Sequence, residues 1–506
     1  MNTTSYWLDG DGCGEWPPLR EDIGTDVLVV GGGITGITTA WLLARAGVDV
    51  VLLDREGFAT RDTGHTTAHL TYMTDSRLRD LVATFGRSDA LLSWRAGFEA
   101  MDRIRRAVEE EEIDCDLKTV PGYLVAAEAS DLKSERSSLA EEAELARIGG
   151  FPVNFIEEAP VTRRPGIQFP DQMEFHPVRY LRGLLEAAVR KGARVYGHTE
   201  SGEFDEKEKR VKAGEHWIRC RKVVIATHVP LQGDAGTLGA AMFQTKLAPY
   251  STYAIRARIP ADQVREMIWS DTADPFLYLR EQRLGDSGYV ILGGEDHKTG
   301  EIGENEERYR RLERALARMI PEAVITHRWS GQVVETVDGL PYIGATDDWQ
   351  FISTGFSGNG MTFGTLAAMM ATEWVGGRGT PWDELFSPGR KASSSVKEYL
   401  RENSKFPVRI LSDRLKIRKG SPADLAPGDG RVMMYEGRST AACRDANGEV
   451  HLCSAVCPHL GCIVAWNAAE CTWDCPCHGS RFAADGRVIG GPAEADLKSY
   501  QPAPTA

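Results

Sequence analysis

The hydrophobic pattern opens with four apolar residues, 27–30, then three glycines, then apolar residues and threonines at helical spacing. A second apolar run covers residues 48–53, so the start of the chain reads as strand, glycine turn, helix and strand. That order opens a doubly wound α/β fold. Residues 80–144 place Ala and Leu among Arg and Glu at helical spacing and predict solvated amphipathic helices. A second strand–helix pattern follows at 178–196, and an apolar strand at 222–227 returns the chain to the parallel sheet. From 240 to 330, strand-like segments such as 250–257 alternate with a basic helix at 309–319, which predicts an α+β domain inserted into the first. Two uncharged windows, 27–44 and 349–372, each divide into a strand, a Gly-rich turn and a helix, so neither predicts a lipid span.

At 506 residues the chain is too long for one core and predicts two or three domains. Its net charge of −14 argues against a nucleic-acid binder, which needs a concentrated basic surface. The first eighteen residues lack the basic and apolar stretches of an export signal, so a cytoplasmic location is the expectation. Between 390 and 420, ten Lys or Arg face three acids. This segment reads as a solvated basic linker, the alternative being a strap laid on the acidic body. Of ten cysteines, Cys13, Cys115 and Cys220 are scattered, whereas seven crowd between 443 and 477.

Gly31-x-Gly33-x-x-Gly36 lies between the first strand and the first helix. Gly31 permits the tight turn, Gly33 lets backbone approach a pyrophosphate, and Gly36 lets helix pack on sheet, leaving helix N-terminal amides for anionic oxygen. Asp54 ends the second strand, where a carboxylate can accept hydrogen bonds from an adenosine ribose. Together these predict a dinucleotide site, without distinguishing NAD from FAD.

The run Glu335-Thr-Val-Asp-Gly-Leu-Pro-Tyr-Ile-Gly344, followed by Phe351-Ile-Ser-Thr-Gly-Phe-Ser-Gly-Asn-Gly-Met-Thr-Phe-Gly364, resembles the C-terminal signature of the D-amino-acid oxidase, glycine oxidase and sarcosine oxidase superfamily of flavoproteins. The resemblance extends over residues 24–385 and implies FAD, held by Gly31, Gly33, Ile34, Thr35, Gly36, Asp54 and Arg55 at one end. It implies Gly358, Asn359, Gly360, Met361 and Thr362 beside the flavin pyrimidine, where a helix N-terminus offsets negative charge collecting on reduction. Arg61-Asp-Thr-Gly-His-Thr-Thr-Ala-His69 occupies the place of the family's flavin-contacting loop, assigning His65, Thr66 and Thr67 to cofactor contact. His65 and His69 are spaced i, i+4, which on a helix gives them one face; hydrogen bonding or flavin contact is expected, with covalent flavin attachment as the alternative. Several amino-acid-oxidising relatives clamp the substrate carboxylate with an Arg five residues before the Asp of this motif. Here that position is Val333, which cannot make an ion pair. His297 and Tyr250 are the candidate catalytic residues by their location in the inserted domain.

Cys457-x-His459 and Cys475-x-x-His478 pair two thiolates with two imidazoles, a set that suits zinc or a Rieske [2Fe-2S] cluster. Each box supplies one Cys, one His and one further Cys, which favours the cluster. Residues 415–500 resemble Rieske domains of the cytochrome bc type. That resemblance implies Cys457 and Cys475 on one iron, His459 and His478 on the other, and a Cys462–Cys477 disulfide. It also makes Ser480 a hydrogen-bond donor to the cluster, and places Phe482 where high-potential members often carry Tyr, so a lowered midpoint is expected. Gly490-Gly-Pro492 matches the loop that covers such clusters. Cys443, Cys453 and Cys471 read as small buried apolar residues. None of the eleven His has the spacing of a ring-hydroxylating oxygenase iron site.

The expectation is an FAD-dependent oxidoreductase, a dehydrogenase rather than an oxidase. It takes hydride from a small amine or amino-acid-like substrate and passes electrons through the cluster to an external acceptor protein. The alternatives are reverse flow, the cluster feeding a flavin-dependent reductase, and a non-catalytic electron-transfer or redox-sensing protein. The expected division is a flavoprotein over 1–385, a basic linker over 386–414 and an all-β cluster domain over 415–506. Within the flavoprotein, FAD-binding segments are expected at 24–78, 165–235 and 335–385, and a substrate domain at 80–165 and 236–334.

Overall fold

A computed structural model describes residues 2–229, 246–301, 305–390, 417–493 and 495–500. The basic segment lies largely outside the described residues. The hydrophobic run after residue 22 forms the strand Ile23–Val30, paired in parallel with His216–Ile225 on one side and Val50–Leu53 on the other. Arg194–Tyr196 extends the parallel sheet beyond Val50–Leu53, and Gln350–Thr354 extends it beyond His216–Ile225. The strand Tyr342–Ala345 closes that edge in antiparallel sense. Central strands of such a sheet are covered on both faces, which is why residues 27–30 and 50–53 are uniformly buried. The helices Ile34–Arg45, Pro177–Arg190 and Gly360–Val375 supply part of that cover.

Two glycines make the first turn sterically feasible. Gly31 has φ +110°, and a Cβ there would lie 2.4 Å from the Ala226 carbonyl oxygen. A Cβ on Gly36 would lie 1.7 Å from the Gly31 carbonyl oxygen, so only glycine lets this helix start against the strand.

A second, nine-stranded sheet is mostly antiparallel and runs from Val324–Thr336 through Leu247–Pro260, Ser287–Lys298, Tyr278–Leu284 and Met267–Asp271 to Lys118–Val125 and Gly166–Glu174. The amphipathic helix Asn305–Met319 buries Tyr309, Leu312 and Leu316 in this sheet's own core. The strand Gly166–Glu174, past the boundary expected at 165, belongs to this layer, as does the short strand His69–Leu70 paired with it. His65 ends a 3-10 turn, Asp62–His65, whereas His69 stands in a strand, so the two do not share a helical face.

The C-terminal domain is all β: a sheet of Gly430–Tyr435, Arg438–Arg444 and Val450–Ser454, and another of Ala465–Asn467, Thr472–Asp474, Arg481–Ala483 and Val488–Gly490. Cys443 and Cys453 are core residues here, their thiols pushed up to about 12 by burial. Cys471 departs from expectation: it lies exposed in a tight turn at φ +55°. No helix among the described residues is long and apolar enough to cross a membrane.

Candidate functional site

A cavity of about 740 Å³ opens between the two large sheets. Gly31, Gly33, Ile34, Thr35, Asp54 and Arg55 line one end, bringing the glycine turn and the acid of the second strand together. Asp54 Oδ2 accepts the Gly32 N–H at 2.8 Å and Oδ1 accepts that of Glu56 at 2.8 Å, which aims the carboxylate across the turn. Burial raises its pKa despite these bonds. Gly36 and Thr362 are not in the cavity wall; Gly36 serves the packing described above, and Thr362 Oγ1 donates to the Thr71 carbonyl.

Further along, Gly358, Asn359, Gly360 and Met361 line the wall at the N-terminus of the helix Gly360–Val375, with His65, Thr66 and Thr67. Asn359 fastens this loop: Oδ1 accepts the Asp75 N–H at 3.1 Å and Nδ2 donates to the Met73 carbonyl at 3.0 Å. Nδ1–H of His65 donates to the Arg61 carbonyl at 2.9 Å, and Nε2–H of His69 to the Leu279 carbonyl at 3.1 Å. Burial first, then Arg280, pulls the His69 pKa down to about 4, so this ring is neutral. A glycine turn at one helix N-terminus and a Gly-Asn-Gly turn at a second, on one continuous cavity, fit a dinucleotide carrying a ring system.

Several wall residues carry no recognisable sequence pattern. Asp62 and His228 form an ion pair at 2.7 Å; against burial, each favours the other's charge, holding Asp62 down to about 2 and raising His228. Asp75 Oδ2 would lie 1.8 Å from a Cβ on Gly358, so the glycine admits a carboxyl at the turn. Burial, then Glu335 and Asp296, push Asp75 well above the carboxylate range. Asp296 is pushed up to about 6, chiefly by burial. Tyr278 shares a hydrogen bond with Thr252 at 2.6 Å and meets the His69 ring edge-on at 5.7 Å.

The structure does not bring His297 or Tyr250 into the cavity wall. Side chains alternate along the strand Ser287–Lys298, so with Asp296 turned to the cavity, His297 points the other way. It stacks on Tyr253 at 5.7 Å, and burial lowers its pKa to about 4. Tyr250 is half-buried between Lys298 and Val333 in the ladder.

The two cysteine boxes form adjoining loops. Cys462 and Cys477 are joined by a disulfide, and their sulfurs lie within 4.8 Å of Cys475 Sγ. The Cys457 thiol is pulled below its ordinary value, first by a hydrogen bond from Cys475 and further by the His459 amide and the Ser480 hydroxyl. His459 and His478 meet edge-on at 4.8 Å, and the buried His459 Nδ1 has no hydrogen-bond partner. Two adjacent thiols and two adjacent imidazoles, one with an unsatisfied buried nitrogen, are a donor set suited to a [2Fe-2S] cluster. Ser480 Oγ also accepts the Ala493 N–H at 3.1 Å, tying in the Gly490–Pro492 turn.

This loop pair rests on the wall of the large cavity. Gln332 lines the cavity, and its Nε2 donates to the Gly479 carbonyl at 2.9 Å, between His478 and Ser480. A Cβ on Gly300 would lie 2.4 Å from Pro476 N, and one on Gly479 would lie 2.2 Å from Pro249 Cγ. Glu470 receives the Tyr309 hydroxyl at 3.0 Å and Arg481 at 3.0 Å, and accepts from Ser330. Ile489, Gly490, Gly491 and Ala493 complete part of the cavity wall.

Comparison with known proteins agrees with this geometry. The family model of the FAD dependent oxidoreductases matches residues 26–374, and that of the Rieske [2Fe-2S] domain matches residues 416–501. The chain is 30% identical to a putative Rieske 2Fe-2S iron-sulfur protein, YhfW, of Bacillus subtilis (strain 168), over 98% of this chain and 97% of that one. It is 24% identical to the gamma-glutamylputrescine oxidoreductase of Escherichia coli (strain K12), over 76% and 91% respectively. L-proline dehydrogenase from P. horikoshii shares the fold at TM-score 0.60 and 19% identity, covering 76% of this chain and 99% of that one.

Proposed function

The chain belongs to the FAD dependent oxidoreductase family and carries a C-terminal Rieske [2Fe-2S] domain, and from that premise we propose that it is an amine dehydrogenase that sends substrate electrons through its own cluster to an external one-electron acceptor. Bound FAD would supply two-electron hydride acceptance, and the cluster one-electron transfer. Cys457 and Cys475 would hold one iron, and His459 and His478 the other. At the flavin end, the helix beginning at Gly360 would stabilise negative charge on the ring system, and the neutral His69 and Tyr278 would order the substrate face.

The observation that carries this reading is the contact of Gln332 with Gly479: one side chain lines the cavity and bonds the loop that bears His478. A cluster loop seated on that wall favours transfer within one chain over release of reduced flavin to oxygen. The test is anaerobic mixing of the loaded protein with secondary amines. Flavin bleaching followed by a reduced-Rieske EPR signal is expected, with turnover supported by ferricyanide and far slower in air. Bleaching only by a reduced ferredoxin would instead establish reverse flow.

A further inference from the structure

The substrate side of the cavity has an unusual charge pattern. To its wall the strands of the nine-stranded sheet contribute Tyr123, Phe169, Trp269, Tyr278 and Asp296, with Phe276 beside them, and, among the described residues of those strands, neither lysine nor arginine; Arg61 enters the wall from the loop before His69–Leu70, where it pairs with Glu56. Val333 stands in this wall, apolar. Two buried guanidiniums lie behind this wall and outside its lining: Arg280 meets Glu174 at 3.3 Å, the Ala68 and Phe175 carbonyls at 3.0 and 3.1 Å and Gln282 at 2.6 Å, and Arg308, whose charge reaches Asp296, donates to the Glu295 carbonyl at 2.9 Å. A substrate carboxylate held against this sheet would meet Asp75 and Asp296 and, among the described residues of its strands, no lysine or arginine. It would be desolvated beside the Asp296 carboxylate, an arrangement that costs affinity.

The opposite charge is complemented. Asp296 lines the cavity with a carboxyl that takes a hydrogen bond from the Thr252 side chain, while its buried Oδ1 has no hydrogen-bond partner. A buried carboxyl oxygen left unsatisfied is costly, and a cationic donor arriving in the cavity would relieve that cost. Phe276 and Tyr278 add aromatic surface, on which an alkylammonium gains cation–π attraction. An amine must be neutral at nitrogen to give up hydride from its neighbouring carbon. The group that Asp296 receives is therefore a second ammonium, remote from the reacting one.

We propose that the cavity takes a diamine-type cation, an alkylamine with a second ammonium group and no carboxylate on the reacting carbon, with Asp296 as the receptor of the remote ammonium. This rests on the amine-dehydrogenase reading and narrows it.

The test uses the full chain loaded with FAD and cluster, held anaerobically and titrated with three secondary amines sharing an N-methyl group. These are N-methyl-1,4-diaminobutane, N-methylbutylamine and N-methylglycine, followed through perturbation and bleaching of the flavin band. The diamine should bind at least about tenfold more tightly than the monoamine, and N-methylglycine more weakly than both. Asp296→Asn should cut the diamine's advantage to about threefold or less, with Tm and flavin content measured to establish that the variant is folded. Val333→Arg supplies an independent arm: it should strengthen N-methylglycine and weaken the diamine. N-methylglycine binding the wild type as tightly as the diamine would overturn the inference and leave the amine reading intact. If no amine perturbs the flavin, the amine reading falls and the inference with it.

Discussion

Asp296 shows how one carboxyl can give a site its pH response. Burial raises its pKa to about 6, Glu295 and Asp274 add to the rise, and Thr252 and Arg308 oppose it; Asp75 and Tyr278 face it across the cavity. A diamine keeps its remote positive charge throughout pH 5 to 8, so the change comes from the protein. Below about 6 the acid is neutral, and above it the acid is charged. Diamine affinity should therefore rise from pH 5 to 7 and then level off, and Asp296→Asn should flatten that rise in a flavin-monitored titration. At the other cofactor, Phe482 is buried opposite Trp473 in the ladder and lacks the hydroxyl that high-potential relatives often carry. Phe482→Tyr should raise the cluster midpoint in an EPR-monitored titration, since a hydroxyl aimed at the cluster stabilises its reduced form. The two residues differ in how they could be read. Phe482 was legible because it sits at fixed spacing from Cys475 and His478, whereas Asp75 and Asp296 become neighbours only when the two sheets face each other.

At the scale of elements, legibility follows the same division between local and distant. The strand–turn–helix at 23–45 could be read from sequence because its requirements are steric and adjacent, Gly31 and Gly36 being forced by contacts of 2.4 and 1.7 Å. Gly36→Val should push helix from strand at a cost of about 1–3 kcal/mol or more. It should strip FAD from the purified protein, read as the flavin-to-iron ratio, while the C-terminal domain, with its own core, keeps its Rieske EPR signal. The segment 61–70 went the other way. On a helix the i, i+4 spacing of His65 and His69 would have given them one face, but Ala68 takes φ +60° and His69 joins the edge of the second sheet opposite Glu174. Strand pairing across distant sequence overrode the local period. For His297, location in the inserted domain did not say which way its side chain would face, because strand alternation fixes parity and only the packed neighbours fix its sense.

Across the whole molecule, the decisive feature is that the cluster domain is built into the flavoprotein's surface. Its docking face is partly steric and partly polar. Gly300 and Gly479 allow backbone approach that a Cβ would block, Glu470 collects Tyr309, Ser330 and Arg481, and Arg487 reaches Glu56 at 3.4 Å. Gln332 lines the cavity and also bonds the cluster loop. Gln332→Leu keeps its approximate volume but leaves the buried Gly479 carbonyl without this donor, a loss of about 1–3 kcal/mol. At 1.4 kcal/mol per factor of ten, that loss suffices to depopulate a marginally held docked geometry about tenfold. Rapid mixing with a reducing amine, quenched by freezing for EPR, should show the rate of cluster reduction falling about tenfold relative to the rate of flavin bleaching in Gln332→Leu. Glu470→Ala, which acts at the far edge of the same face, should produce the same lag without touching the cavity wall. A lag in both variants identifies docking as the control of electron transfer. A lag in Gln332→Leu alone assigns control to the cavity side chain, and cluster reduction keeping pace with bleaching in both would mean that electrons leave the flavin by a route that does not cross this face.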